Sequence, residues 1–204
     1  MYLEALKSKQ KKILPELKNF PEFYLAGGTA LALQIGHRIS VDFDLFSNKD
    51  IPSSLLEKVS RTFKDFKIKI VVNHSEQLSI SLDNIKVDFI KYPYSLTPSH
   101  IKFQSINILK VPEIAIMKAY TIGRRATLKD YIDLYFILKE KHVALREIIK
   151  LAKKKYRDEF DPRLFLEQLI YLEDIKKMKV NFLKERVSKK QLQSFFEKQV
   201  MELN

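Results

Sequence analysis

Cysteine is missing from all 204 residues. That absence removes a disulfide framework, a thiolate metal site and a cysteine nucleophile, and it suits a cytoplasmic protein. Long apolar runs are missing too: no uninterrupted stretch approaches the roughly 20 residues needed to cross a bilayer. The opening segment MYLEALKSKQKKILPELKNF is charged and amphipathic, without the apolar core and small-residue cleavage site of a signal peptide. A soluble, cytoplasmic protein with no membrane partner is expected. Negative charge is the minority sign, with 25 Asp and Glu against 37 Lys and Arg and a net charge of +12. That excess favours a polyanionic partner, because each phosphate neutralised releases condensed counterions. A lysine-rich proteome would give the same balance without any such partner.

What is present falls into two textures. Mixed three- and four-residue apolar spacing predicts a helix over 2–20, bent or restarted at Pro15. Phe23 to Ala26 reads as a short strand halted by Gly27-Gly28, Thr29 to Ile35 as a helix closed by Gly36, and Val41 to Phe46 as an alternating strand. A helix from Pro52 to about Phe63 follows, then strands at 67–72, 77–82 and 85–90. Asp83-Asn84 between the last two is a two-residue hairpin signal. One further strand is predicted around 103–109. Past Val111-Pro112 the periodicity is helical, over 112–121, 127–139, 144–155, 162–171 and 188–201. The expected class is α+β. Residues 1–110 form a small mixed β-sheet core with flanking helices, and 111–204 an all-helical half packed on it.

Chemistry concentrates in the first half. Asp42 and Asp44 are two apart on a strand, so their carboxylates point the same way with Cα atoms roughly 6.5 Å apart. That spacing lets both close on a shared pair of cations, and two such ions clamp the attacking and leaving oxygens of a phosphoryl displacement. Oxygen donors select Mg²⁺ or Mn²⁺ over zinc. A D-x-D pair is also a common solvated face; Phe43, Leu45 and Phe46 around this one place the acids near a core, where like charges need a compensating cation. Asp88, within the apolar strand IKVDFI, is the favoured third acid, because an unpaired acid there is costly. Its competitor Asp83 is explained by the hairpin turn. Gly27-Gly28-Thr29, between strand and helix, presents backbone amides to an anion, with Thr29 as an added donor. The same residues also make an ordinary capped glycine turn. Arg38 and Ser40 are placed to reach a phosphate tail held there, although Arg38 could equally pair with a nearby carboxylate.

The run LAGGTALALQIGHRISVDFDLFS resembles the signature of the DNA polymerase β-like nucleotidyltransferases, a glycine turn preceding a D-x-D strand. GGTALAL, HRISVDFDLF and the later KDYIDLYFIL together resemble, more narrowly, the AbiEii family, the toxin component of type IV toxin–antitoxin systems. The similarity covers roughly residues 23 to 140. It implies transfer of a nucleoside monophosphate from a nucleoside triphosphate with two divalent metals. Asp42 and Asp44 would be metal ligands, and Asp88 a third acid that orients or deprotonates the attacking hydroxyl. The family's lysine on one helix and acid on the next match Lys118, which would neutralise triphosphate charge, and Asp130, which would hold that lysine or a substrate hydroxyl.

Related toxins modify transfer RNA, so with a net charge of +12 an RNA acceptor is the first expectation, and a separate antitoxin protein is an implied partner. Arg124 and Arg125 are a candidate phosphate-facing or nucleic-acid patch, and the cluster at Lys153, Lys154, Lys155, Tyr156 and Arg157 is either an RNA-backbone contact or a solvated helix end. Two other functions compete. One is a non-catalytic nucleic-acid-binding protein on a degenerate nucleotidyltransferase fold, which the retained acids argue against. The other is a γ-phosphotransferase that shares the metal site.

Overall fold

Alternation in FDLFS becomes a strand, β2 (Phe43–Ser47), in the computed structural model, which describes residues 1–95, 100–125 and 127–203. The chain divides into two compact units, Met1–Lys110 and Val111–Asn204. In the first, β2 is the fourth strand of a seven-stranded mixed sheet. The others are β1 (Tyr24–Ala26), β3 (Ile68–His74), β4 (Gln77–Leu82), β5 (Ile85–Lys91), β6 (His100–Phe103) and β7 (Ile106–Leu109). Their order across the sheet is β3-β4-β5-β2-β1-β7-β6. β2 pairs parallel with β5 and antiparallel with β1, which in turn pairs parallel with β7.

The period of two sorts the side chains onto opposite faces. Leu25, Leu45, Phe89 and Leu78 form one row across four strands, all fully buried. Phe20 and Phe23 pack on Phe89 with ring centroids 5.0 and 5.1 Å away, and Phe63 stacks on Phe20. Three helices accompany the sheet: α1 (Ser8–Ile13), α2 (Gly27–Ile35) and α3 (Leu55–Thr62). Helix α2 buries Thr29 through Leu33 without a break, as a helix enclosed on all sides does. Gly36 ends it at φ 63°, the left-handed cap that glycine adopts without a Cβ penalty.

Two expectations are revised. The helix expected over 2–20 is three pieces: a 3-10 turn at Leu3–Ala5, α1, and a 3-10 stretch at Leu14–Asn19. The Gln10 side chain accepts from the Lys7 amide to start α1 afresh. Pro15, with no amide to donate, sits in the first turn of the last piece. The single strand expected over 103–109 is a hairpin, β6 and β7. It turns on Gln104 and Ser105 at φ 49° and 65°, a conformation that glycine and asparagine usually advertise and this pair does not. The Asp83-Asn84 turn does adopt positive φ at both residues, and Asp83 Oδ1 accepts from the Lys67 amide.

The second unit is helical: α4 (Val111–Arg125), α5 (Leu128–Lys139), α6 (Leu145–Tyr156), α7 (Pro162–Ile170) and α8 (Lys189–Met201). Thr127, Asp161 and Ser188 begin α5, α7 and α8, and the last two accept from backbone amides of the first turn. Helix α5 is buried continuously from Asp130 to Leu138 and packs against α4 and α8. The molecule is an α+β protein with a mixed sheet, flanking helices and a helical C-terminal half.

Candidate active site

Opposite the aromatic core, the same strand register lines up a row that is polar at Asp44, Asp88 and Ser79. Ala26 pairs with Asp44, Asp44 with Asp88 and Asp88 with Ser79. Asp44 and Asp88 are therefore neighbours on one face of adjacent parallel strands, about 4.8 Å apart along the hydrogen-bonding direction. Asp42 lies just before β2 rather than within it. Its carbonyl accepts the Thr29 hydroxyl, which is also hydrogen-bonded to Ser40 Oγ at 2.8 Å. Thr29, 1% exposed, thus pins the acid segment to α2 from inside.

Gly27 and Gly28 are there because other groups need their space. Gly27 has φ 64°, and a Cβ on it would stand 2.3 Å from Asp44 Oδ2. A Cβ on Gly28 would stand 2.5 Å from an Arg38 guanidinium nitrogen and 3.4 Å from Ser40 Oγ. The glycine turn is therefore flanked by a carboxylate on one side and a buried guanidinium on the other, with Arg38 2% exposed and also donating to the Ile39 carbonyl. Gly27, Gly28, Thr29, Arg38, Ser40, Asp42 and Asp44 form one contiguous cluster, which the register extends to Asp88.

Two carboxylates on one face of the sheet, with Asp42 just before it, call for positive charge. Lys86 supplies some. Two residues before Asp88 on β5, it places its ammonium 2.5 Å from Asp88 Oδ2. The Lys86 pKa is raised, first by that hydrogen bond and, against opposing burial, by the charges of Asp88, Asp44 and Asp42. Asp88 itself is 4% exposed, and its Oδ1 is buried without a hydrogen-bond partner. Among the described residues no three His, Asp or Glu side chains come together as a group able to hold a metal ion. The donor set is nonetheless all oxygen, with one unsatisfied buried carboxylate oxygen, and that chemistry fits a hard divalent cation.

In the second unit, Lys118 on α4 bridges Asp130 Oδ1 and Asp133 Oδ2 on α5, both at 2.7 Å. Asp130 also starts its own helix, because its Oδ2 accepts from the Thr127 amide and hydroxyl and closes a capping box at the beginning of α5. Asp133 is wholly buried. Arg124 stacks over Tyr120 at 4.2 Å and donates to the Glu159 carbonyl. In the basic run at the end of α6, Lys153 and Lys154 are exposed, whereas Lys155 turns inward onto buried Glu113. Burial pushes the Lys155 ammonium down to about 8.

Sequence reasoning misses Lys86 and Ser79. The i, i+2 relation of Lys86 to Asp88 on a strand is the signal that could have found the lysine. Asp133 is visible in KDYIDLY, but the pattern offers no way to choose between it and Asp130.

The chain resembles known proteins in sequence and in fold. The family described as nucleotidyl transferase AbiEii toxin, type IV TA system, matches residues 12–204. A protein of Aquifex aeolicus (strain VF5), aq_aa25, is 34% identical over 177 residues, covering 84% of this chain and 85% of its own. Among solved structures, MenT4, a nucleotidyltransferase toxin of Mycobacterium tuberculosis H37Rv, shares the fold with a TM-score of 0.58 at 15% identity, over 92% of this chain and 80% of its own. JHP933 from Helicobacter pylori does so with a TM-score of 0.54 at 17% identity, over 97% of both chains. With the family match running through both units, the chain belongs to the AbiEii nucleotidyltransferase toxins of type IV toxin–antitoxin systems.

Proposed function

We propose that this nucleotidyltransferase moves a nucleoside monophosphate from a nucleoside triphosphate to an acceptor hydroxyl, with RNA as the acceptor, and that Asp42, Asp44 and Asp88 hold Mg²⁺ or Mn²⁺. The observation that carries the reading is the pairing of Asp44 with Asp88 beside a glycine turn into which the Asp44 carboxylate fits. A divalent cation bound by these acids would neutralise charge on the triphosphate and the departing pyrophosphate. The chain's own groups do the rest. Amides of Gly27 and Gly28 and the Arg38 guanidinium face the phosphates, and Ser40 and Thr29 keep the loop that carries Asp42 in register. Asp88 orients the acceptor hydroxyl and takes its proton as the oxygen attacks the α-phosphorus and pyrophosphate leaves. Lys118 and Asp130 stay in the proposal on family resemblance, Lys118 as a triphosphate contact and Asp130 as its support. The net charge of +12 supports a polyanionic acceptor, and a separate antitoxin protein is the expected partner. Among the described residues no helix is long and apolar enough to cross a membrane.

The test is incubation with each α-labelled nucleoside triphosphate, Mg²⁺ and total RNA, beside an Asp42→Ala/Asp44→Ala control. Label in RNA from the wild-type protein alone, with release of pyrophosphate, supports the reading. Release of the nucleoside diphosphate would replace it with γ-phosphoryl transfer, and label in protein or small molecules would replace the acceptor.

A further inference from the structure

We propose that Lys86 is a positioning residue that holds Asp88 in the nucleotide-free protein and keeps a bare divalent cation out of the acid cluster until nucleotide phosphates draw its ammonium away. This rests on the reading that the cluster binds such a cation. Lys86 and Asp88 share one face of β5 by the two-residue period. The two ends of the contact differ in mobility: the Asp88 side chain is 6% exposed and fixed within the sheet, whereas Lys86 is 52% exposed. Its flexible four-carbon stem therefore reaches from solvent over a buried carboxylate. An ammonium seated on Oδ2 leaves that oxygen no room for a metal ion, and its charge repels a cation approaching Asp44 or Asp42 as well. Triphosphate oxygens offer the same ammonium more negative charge than one carboxylate does, and a solvated lysine stem is able to follow them. Ordered loading results, in which cation and nucleotide enter together and cation alone enters poorly.

The experiment measures Mn²⁺ affinity of the full chain from the electron paramagnetic resonance signal of unbound Mn²⁺, in wild type, Lys86→Met and Lys86→Arg. Each protein is titrated with and without an unreactive α,β-methylene nucleoside triphosphate. Without nucleotide, Lys86→Met is expected to bind Mn²⁺ about tenfold more tightly than wild type, the scale of one charge-assisted contact at a half-exposed site. Lys86→Arg should stay within about twofold of wild type, since it keeps the charge. With nucleotide, wild-type affinity should rise and the advantage of Lys86→Met should disappear. Equal or weaker Mn²⁺ binding by Lys86→Met without nucleotide overturns the inference and leaves the metal site standing. No Mn²⁺ binding by any of the three proteins, with or without nucleotide, overturns both.

Discussion

Asp44 and Asp88 are register partners across the parallel pair β2 and β5, which brings two carboxylates distant in sequence to one face of the sheet as a pair. Asp44→Asn keeps the volume and removes the charge. Nucleotide transfer is expected to fall by about two orders of magnitude or more, with unchanged far-ultraviolet circular dichroism and thermal midpoint. Label transfer at wild-type rate in this variant would remove Asp44 from the site.

Gly27, the first residue of α2, tests Asp44 from outside the β2–β5 pair. Alanine there meets both the positive φ and the Asp44 carboxylate 2.3 Å from the new Cβ. Gly27→Ala is expected to cost roughly 1–3 kcal/mol in denaturant unfolding and to weaken Mn²⁺ binding as Asp44 is pushed aside. A variant of wild-type stability and affinity would mean that the turn relaxes without disturbing the acid.

The bridge from Lys118 to Asp133 lies wholly inside the helical unit. Removing Lys118, which bridges Asp130 and Asp133, leaves two buried carboxylates without their shared cation. Lys118→Ala is accordingly expected to lose about 3–5 kcal/mol by chemical denaturation, and Asp133→Ala less, because Lys118 keeps Asp130. The double variant Lys118→Ala/Asp133→Ala should lose less than the two single losses added, because the Lys118–Asp133 contact, broken in either single variant, is lost only once. Strict additivity would show that the pair does not interact energetically.

Alkaline stability follows from Tyr131. Its hydroxyl donates to the Gln168 carbonyl at 2.8 Å, and burial, with the Asp130 charge adding to it, pushes its pKa up to about 12. The folded protein thus keeps a proton that the unfolded chain releases near pH 10. The stabilisation is present below pH 10 and is lost as pH rises through about 12, a swing of roughly 2–3 kcal/mol. Denaturant midpoints measured from pH 9 to 12 should fall less steeply for Tyr131→Phe than for wild type. Parallel slopes would contradict the assignment.

Sequence pattern revealed most where one local rule dominated. The period of two in VDFDLF, the glycine pair before an apolar helix and the Asp83-Asn84 turn each dictate backbone shape over a few residues, and β2, α2 and the β4–β5 hairpin follow. Where local signals conflict, it revealed less. Gln104-Ser105 turns at positive φ without the glycine, asparagine or aspartate that favours it, because the β6 and β7 partners impose it. The N-terminal segment breaks into short pieces because Pro15 and the Gln10 cap outweigh its apolar spacing. In the site, the types of the acids were visible but their pairing was not. The register that sets Asp44 beside Asp88 is a property of the whole sheet, and the inward turn of Thr29 depends on where Ser40 and the Asp42 carbonyl come to lie.

Parallel pairing of β2 with β5 has a consequence for biosynthesis. Parallel neighbours cannot be joined by a tight turn, so α3, β3 and β4 must all be made before β5 docks beside β2. β1, which carries the glycine turn at its end, waits longer still for its parallel partner β7. A nascent chain that has emerged only through Asp44 lacks Asp88 and has no sheet to align its acids. The pairing of Asp44 with Asp88 therefore cannot form until the chain has been made past β5. The acid pair is a late product of synthesis, assembled when long-range strand pairing closes.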